Sequence, residues 1–261
     1  ERGEREYRLR ASNIETDGNA TGTVILIFDE SDKVFAERNR REFTANVSHE
    51  LKTPLQSIMG SAELIENGLV KKEDMPRFVG HIRTEAARLV TLIDDIIRLS
   101  QLDEGGKMPE EEVEVYSIAQ ENLSSLEGKA AEKHISLSID GEHIVIHCVR
   151  RLLDEIIYNL CDNAIKYNKD NGSVNVNVSR EENRAVITVA DTGIGIPQEH
   201  QSRVFERFYR VDKSHSKESG GTGLGLSIVK HAVMYLGGEI TLTSKPGEGT
   251  TIKVFLPAAK A

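Results

Sequence analysis

The 261-residue chain has only two cysteines, Cys148 and Cys161. Two cannot build a disulfide scaffold or a four-cysteine zinc site, and they suit a reducing compartment. Long apolar runs are missing as well. The longest is Val24–Phe28, against the ~20 residues that a membrane-spanning helix needs. Basic charge is in deficit: 33 Lys and Arg stand against 42 Asp and Glu, leaving −9. So acidic a chain lacks the cationic footprint of non-specific nucleic-acid binding, and no nucleic-acid partner is expected. What is present is a globular balance, with 38% hydrophobic residues and 21 glycines. The length suits one large domain or two small ones. The first residue is Glu1 rather than Met, so the chain reads as a fragment, and the absence of a signal peptide or anchor in it says nothing about the parent protein.

The patterning changes along the chain. Tyr7, Leu9 and Ala11 alternate with charged residues, Thr16–Asn19 is rich in turn formers, and Thr23–Phe28 is a β run, which together predict a hairpin over residues 1–29. A lone hairpin is marginal in water and predicts a missing cover. Helical periodicity starts at Ser31, with Ser31 or Asp32 as N-cap. Leu51, Leu55, Ile58, Ala62, Ile65 and Leu69 step by four and three, and so do Val79, Ile82, Ala86, Leu89, Ile93 and Ile96. Two such helices joined by a short loop form an antiparallel hairpin whose apolar face exceeds what two helices bury, predicting a homodimer with a four-helix bundle. Gly105-Gly106 and Glu110–Glu112 read as a linker, closing a unit over residues 30–107.

Residues 108–261 are mixed. A helix over 117–133, a hairpin made of 135–139 and 144–148, a helix over 150–167, strands over 173–179 and 185–190, a helix over 224–236 and strands over 239–244 and 250–255 predict helices layered on a mixed sheet. The fold class expected is therefore α+β, a helical hairpin followed by a two-layer α/β sandwich.

Four segments carry chemistry. In Phe43–Pro54, His49 lies off the heptad seam beside Glu50, with Thr53 one turn on and Pro54 inside the helix. An exposed His next to a carboxylate suits a nucleophile or proton carrier; the pair alone fits a surface histidine on a solvated face better. A zincin reading fails because Thr53 stands where the second His belongs. In Asn159–Tyr167, Asn159, Asn163 and Lys166 form one polar stripe, offering carboxamide oxygens to Mg²⁺ and a cation to phosphate, or merely an amphipathic face. Asp191–Pro197, with Gly193, Gly195 and Ile196, follows a strand; it is a ligand-reading turn or only a tight turn. Gly220–Leu226 opens a helix without a Walker lysine or a dinucleotide fingerprint. Between the last two, Arg203–Ser219 carries Arg207, Phe208, Arg210, Lys213 and Lys217, a lid over a triphosphate or a surface loop. His143 and His147 are about 13 Å apart on a strand and do not share a metal.

In this order the segments resemble the sensor histidine kinases of bacterial two-component systems, over about residues 40–261. Phe43–Pro54 resembles the phosphoacceptor box, Asn159–Tyr167 the N box, Asp191–Pro197 and Gly221–Leu226 two glycine boxes, and Arg203–Tyr209 the F box. Residues 1–29 are similar to the last strands of a PAS domain. The resemblance implies a dimeric helical bundle with a Bergerat-type ATP-binding sandwich, ATP and Mg²⁺ as cofactors, and a response-regulator receiver domain as partner. It implies that His49 is phosphorylated, that Glu50 orients it and takes its proton, and that Thr53 positions a water for phosphatase action. Asn163, assisted by Asn159, would hold Mg²⁺. Lys166, Tyr167, Asp191, Gly193, Gly195, Ile196, Arg207, Phe208, Arg210, Gly221, Thr222, Gly223, Leu224, Gly225, Leu226 and Thr250 would meet the nucleotide. The parent is expected to be membrane-anchored and this part cytoplasmic. Asn168-Lys169 and Gln56 depart from the common pattern without touching those roles. Rival readings are a kinase-silent nucleotide-binding scaffold, a chaperone or topoisomerase module with the same pocket, and a protein that acts mainly as a phosphatase.

Overall fold

Alternating side chains in Tyr7–Thr16 (β1) and Asn19–Asp29 (β2) pair the two segments antiparallel, Tyr7 opposite Asp29. The structure is a computed structural model that describes residues 5–16, 19–103, 105–211 and 221–258. Leu9, Ile25 and Ile27 are exposed, so the ribbon has the uncovered apolar surface that a lone hairpin implies. The chain then enters α1 (Ser31–Glu66). Ser31 does not cap it. Its hydroxyl accepts the Glu6 N–H and its own N–H is taken by Asp29 Oδ1, which ties the ribbon to the helix.

Helix α1 runs through Pro54 and turns back at Asn67–Asp74 into α2 (Met75–Asp103). The heptad seam splits into two rows. Leu51, Ile58, Ile65, Ile82, Leu89 and Ile96 are half-buried, whereas Leu55, Leu69, Val79 and Ile93 are exposed. One row fills the space between the two helices. The other faces outward, because two helices can bury only part of so wide a stripe.

The second body contains β3 (Glu111–Glu114), α3 (Val115–Glu132), β4 (Ser136–Gly141), β5 (Val145–Cys148), α4 (Arg150–Lys166), β6 (Ser173–Glu181), β7 (Arg184–Asp191), the short α5 (Gln198–Gln201), α6 (Gly225–Tyr235), β8 (Glu239–Lys245) and β9 (Gly249–Pro257). Five strands form one mixed sheet in the order β4-β6-β7-β9-β8, parallel only between β4 and β6. Helices α3, α4 and α6 pack on it. Inward valines at 174, 176 and 178 alternate with outward residues on β6 and share one buried core with Ile156, Ile157 and Ile228. This is the helical layer on a mixed sheet that the patterning predicts.

Two expectations are corrected. The segments 135–139 and 144–148 do not form a hairpin: β4 lies parallel to β6, and β5 pairs antiparallel with β3. Gly141 does not turn the chain back. It continues the ladder at φ +121°, so close to Val178 that a Cβ would stand 2.0 Å from the Val178 oxygen. Period-two alternation finds strands but not their partners. The acidic stretch read as linker is in part β3, whose Val113 is buried and whose Glu114 caps α3 through the N–H groups of Tyr116 and Ser117.

Candidate active site: a cavity between two bodies

Helix α4 presents Asn159, Asn163 and Lys166 on one face because they are spaced four and three apart. Asn159 Nδ2 donates back to the Glu155 carbonyl at 2.8 Å, which fixes its amide and leaves Oδ1 for the cavity. The N-terminus of α6 comes up against this pair: a Cβ on Gly225 would lie 3.0 Å from Asn159 Oδ1 and 3.7 Å from Asn163 Nδ2. Upstream, Gly221 passes Lys166 so closely that a Cβ would lie 2.4 Å from Nζ. Glycine here allows the backbone N–H groups and the helix dipole to reach the same space as the lysine, an arrangement that suits an anion.

Opposite, β7 ends in Asp191. Its Oδ1 accepts the Gly193 N–H at 2.7 Å and the Thr250 N–H at 3.2 Å. Burial pushes the Asp191 carboxyl up, and those two N–H groups partly reverse the shift. Gly195 turns at φ +68°, against Lys245 of β8. The Ile196 N–H donates to Ser244 Oγ at 2.8 Å, and that hydroxyl lies 2.8 Å from Thr250 Oγ1.

These groups surround a cavity of about 920 Å³ lined by Asn159, Asn163, Lys166, Tyr167, Asp191, Gly195, Ile196, Arg210, Gly221, Thr222, Gly223, Gly225, Leu226 and Thr250, among others. That is ample for a nucleoside triphosphate. Burial pushes the Lys166 ammonium down to about 8, and the nearby Arg210 and Arg88 add to the effect against Asp162. Arg210 is itself lowered by burial and by Arg88, and raised by the Glu50 carboxylate. The cavity's cationic end therefore lies within electrostatic reach of the hairpin.

Several expected residues are elsewhere. Gly193 shapes the turn but does not line the cavity; a Cβ there would lie 2.4 Å from the Tyr167 oxygen. Leu224 is buried and precedes α6, its N–H on Thr222 Oγ1. Phe208, at φ +62°, packs against Phe43 of α1 with ring centroids 5.8 Å apart. Arg207 points away from the cavity, to Asp103 of α2 at 2.7 and 2.9 Å. Lys213 and Lys217 lie outside the described residues. His49 does not line the cavity either. Its side chain is 81% exposed, with Nδ1 3.9 Å from Glu50 Oε1, while its carbonyl accepts the Thr53 hydroxyl at 3.2 Å.

One wall went unforeseen. Thr91, Asp94, Asp95 and Arg98 of α2 line the cavity. Thr222 Oγ1 donates to Asp95 at 2.8 Å, and Arg98 bonds Glu155, which is 7% exposed, at 2.8 Å. Burial raises the Asp95 carboxyl while the Thr222 hydroxyl opposes the shift. The signal was available: Arg88, Thr91, Asp95 and Arg98 form a polar row stepped by three and four, distinct from the apolar seam.

The family described as His Kinase A (phospho-acceptor) domain matches residues 39–105, and the Histidine kinase-, DNA gyrase B-, and HSP90-like ATPase family matches residues 148–260. The chain is 38% identical over 246 residues to the sensor-like histidine kinase SenX3 of Mycolicibacterium smegmatis, a match spanning 93% of this chain and 64% of that relative. Among solved structures it is similar to full-length ShkA in complex with AMPPNP, with TM-score 0.64 and 26% identity over 84% of this chain and 46% of that one. It also shares the fold of histidine kinase ThkA, solved in complex with response regulator protein TrrA, with TM-score 0.68 and 24% identity over 99% of this chain and 77% of that one.

Proposed function

The chain belongs to the sensor histidine kinase family, and from that premise we propose that it transfers the γ-phosphoryl group of ATP to His49 and then to an aspartate of a response-regulator receiver domain. The observation that carries this reading is the pairing of two sites. One is a triphosphate-sized cavity lined by the Asp191 carboxylate and by the cations Lys166 and Arg210. The second is an exposed His49 beside Glu50, whose charge Arg210 senses across the gap between the bodies.

Asp191 accepts the exocyclic amine of adenine. Lys166, Arg210 and the N–H groups ahead of α6 hold the phosphates. The oxygens of Asn163 and Asn159 are hard donors that suit Mg²⁺, which when bound screens the triphosphate charge. A ring nitrogen of His49 forms the P–N bond as the bond from the γ-phosphorus to the β-bridging oxygen breaks, and Glu50 takes the ring proton. Thr53, one turn beyond, orients a water for hydrolysis of the phosphorylated regulator. The domain division proposed is 30–107 for the phospho-acceptor hairpin and 108–261 for the ATP-binding unit, with 1–29 closing a sensor domain; the β3–β5 pairing supports the second boundary. The outward apolar row of the hairpin supports a homodimer.

The test is incubation with Mg²⁺ and γ-labelled ATP beside His49→Ala. Acid-labile, base-stable label on the parent and none on the variant is expected. Label persisting on His49→Ala overturns the assignment of the acceptor. Absence of label on either, with ATP binding intact, favours the scaffold or phosphatase reading.

A further inference from the structure

The Ser57 hydroxyl lies 2.8 Å from His81 Nε2 and fixes how α1 and α2 pass one another. In an antiparallel pair of equal rise, seven residues back along α1 match seven forward along α2 in level and, after two turns, in face. Glu50 therefore faces Arg88 much as Ser57 faces His81. Glu50 adjoins the acceptor His49, and Thr91, three residues past Arg88, lines the cavity. Arg88 itself is outside the cavity wall, at the step from nucleotide to acceptor. It is half-buried, and no hydrogen bond or ion pair joins it to a described residue. Its charge is felt instead by two other cations, lowering the titration of both Lys166 and Arg210. Three cations drawn together from two bodies repel one another and suit a polyanion that comes between them.

We propose that Arg88 is a further catalytic residue, which binds the γ-phosphoryl group from the hairpin side as that group passes from ATP to His49. The inference rests on the proposed function and adds a cation that travels with the acceptor. Lys166 and Arg210 belong to the ATP-binding body and hold the triphosphate before transfer. Arg88, Glu50 and His49 all belong to the hairpin, so their mutual spacing does not depend on how the ATP-binding body sits. As the bond from the γ-phosphorus to the bridging oxygen breaks and the P–N bond forms, the phosphoryl oxygens move off the cavity cations and toward Arg88, whose planar fork matches two of them. An interaction made in transit lowers the barrier without tightening nucleotide binding.

The test measures kcat and KM for autophosphorylation, and AMPPNP affinity by calorimetry, in the full chain and in Arg88→Ala, Arg88→Lys and Arg83→Ala. Expected for Arg88→Ala is a kcat about 100-fold lower, with AMPPNP affinity within about twofold of the parent. Arg88→Lys keeps the charge without the fork and recovers part of the rate. Arg83 is an exposed cation on the same helix, and Arg83→Ala reports simple loss of positive charge. A kcat for Arg88→Ala within about threefold of the parent overturns the proposal. So does an equal loss in Arg83→Ala, or a rate loss matched by the loss of AMPPNP affinity. Phosphoramidate, which phosphorylates imidazole without ATP, separates the proposal from the function it rests on. Mass spectrometry of the His49 peptide should show slower labelling by phosphoramidate in Arg88→Ala than in the parent. If the parent binds AMPPNP but ATP never labels it, the kinase reading fails. Equal phosphoramidate rates then overturn Arg88 as well, whereas a slower variant upholds its part in delivering a phosphoryl group to His49.

Discussion

Asp191 and Gly193 are joined by a 2.7 Å bond from the glycine N–H to Asp191 Oδ1, and the Thr250 N–H from the neighbouring strand shares that oxygen at 3.2 Å. One carboxylate oxygen thus locks the turn to β9, where Thr250 is the register partner of Asp191, and the other is left for a ligand. The carboxylate is pre-oriented before any nucleotide arrives, so no ordering cost falls on binding.

Asp191→Asn keeps the shape and an oxygen for the two N–H groups, but sets an NH₂ donor against the adenine amine. Nucleotide affinity should fall about 10- to 100-fold, the range of about 1.4–3 kcal/mol for a buried unmatched polar group. Thermal stability should change little. Titration calorimetry with ATP beside thermal melts checks both; unchanged affinity would remove Asp191 from the adenine site.

Burial holds the Lys166 ammonium at about 8, so it loses its charge between pH 7 and 9. ATP binding should weaken as pH rises through that window, and Lys166→Arg should flatten the dependence, since guanidinium stays charged. The sign for stability is opposite. An unfolded lysine titrates near 10.4, so between about 8 and 10.4 the unfolded chain binds more protons, and the Lys166 contribution to folding improves as pH rises. Binding isotherms and melts of parent and Lys166→Arg from pH 7 to 9.5 separate the two trends.

Ile93 and Leu55 are exposed in the single chain, each on the outward row of the hairpin. Ile93→Glu or Leu55→Glu places a charge in the proposed bundle seam. Light scattering should show a shift from dimer to monomer at micromolar concentration, and the concentration dependence of melting should disappear. A dimer that persists in both variants would place the interface elsewhere.

Much of the candidate site is readable from spacing. Asn159, Asn163 and Lys166 fall on one helical face by periodicity alone, and Gly221, Gly223 and Gly225 mark a backbone that must pass close to other groups. Arg207 is the instructive exception. As a cation in a loop after a nucleotide turn it reads as a phosphate ligand, yet Asp103, 104 residues away, holds it. Competition between two anions for one guanidinium is invisible to local pattern, because the partner's position depends on how the bodies pack. The same holds for β5, which alternates correctly but pairs with β3 rather than β4.

The helical hairpin, most helices and strands of the second body and the exposure of His49 were determined by sequence alone, since each depends on side-chain period, turn residues and local sterics. Strand partners, the α2 wall of the cavity, the depressed titration of Lys166 and the carboxylates that hold Thr222 and Arg207 were decided only by tertiary structure. These depend on distances between residues far apart in the chain and on burial. Desolvation and charge–charge energies vary with both, and neither is encoded in any local window of residues.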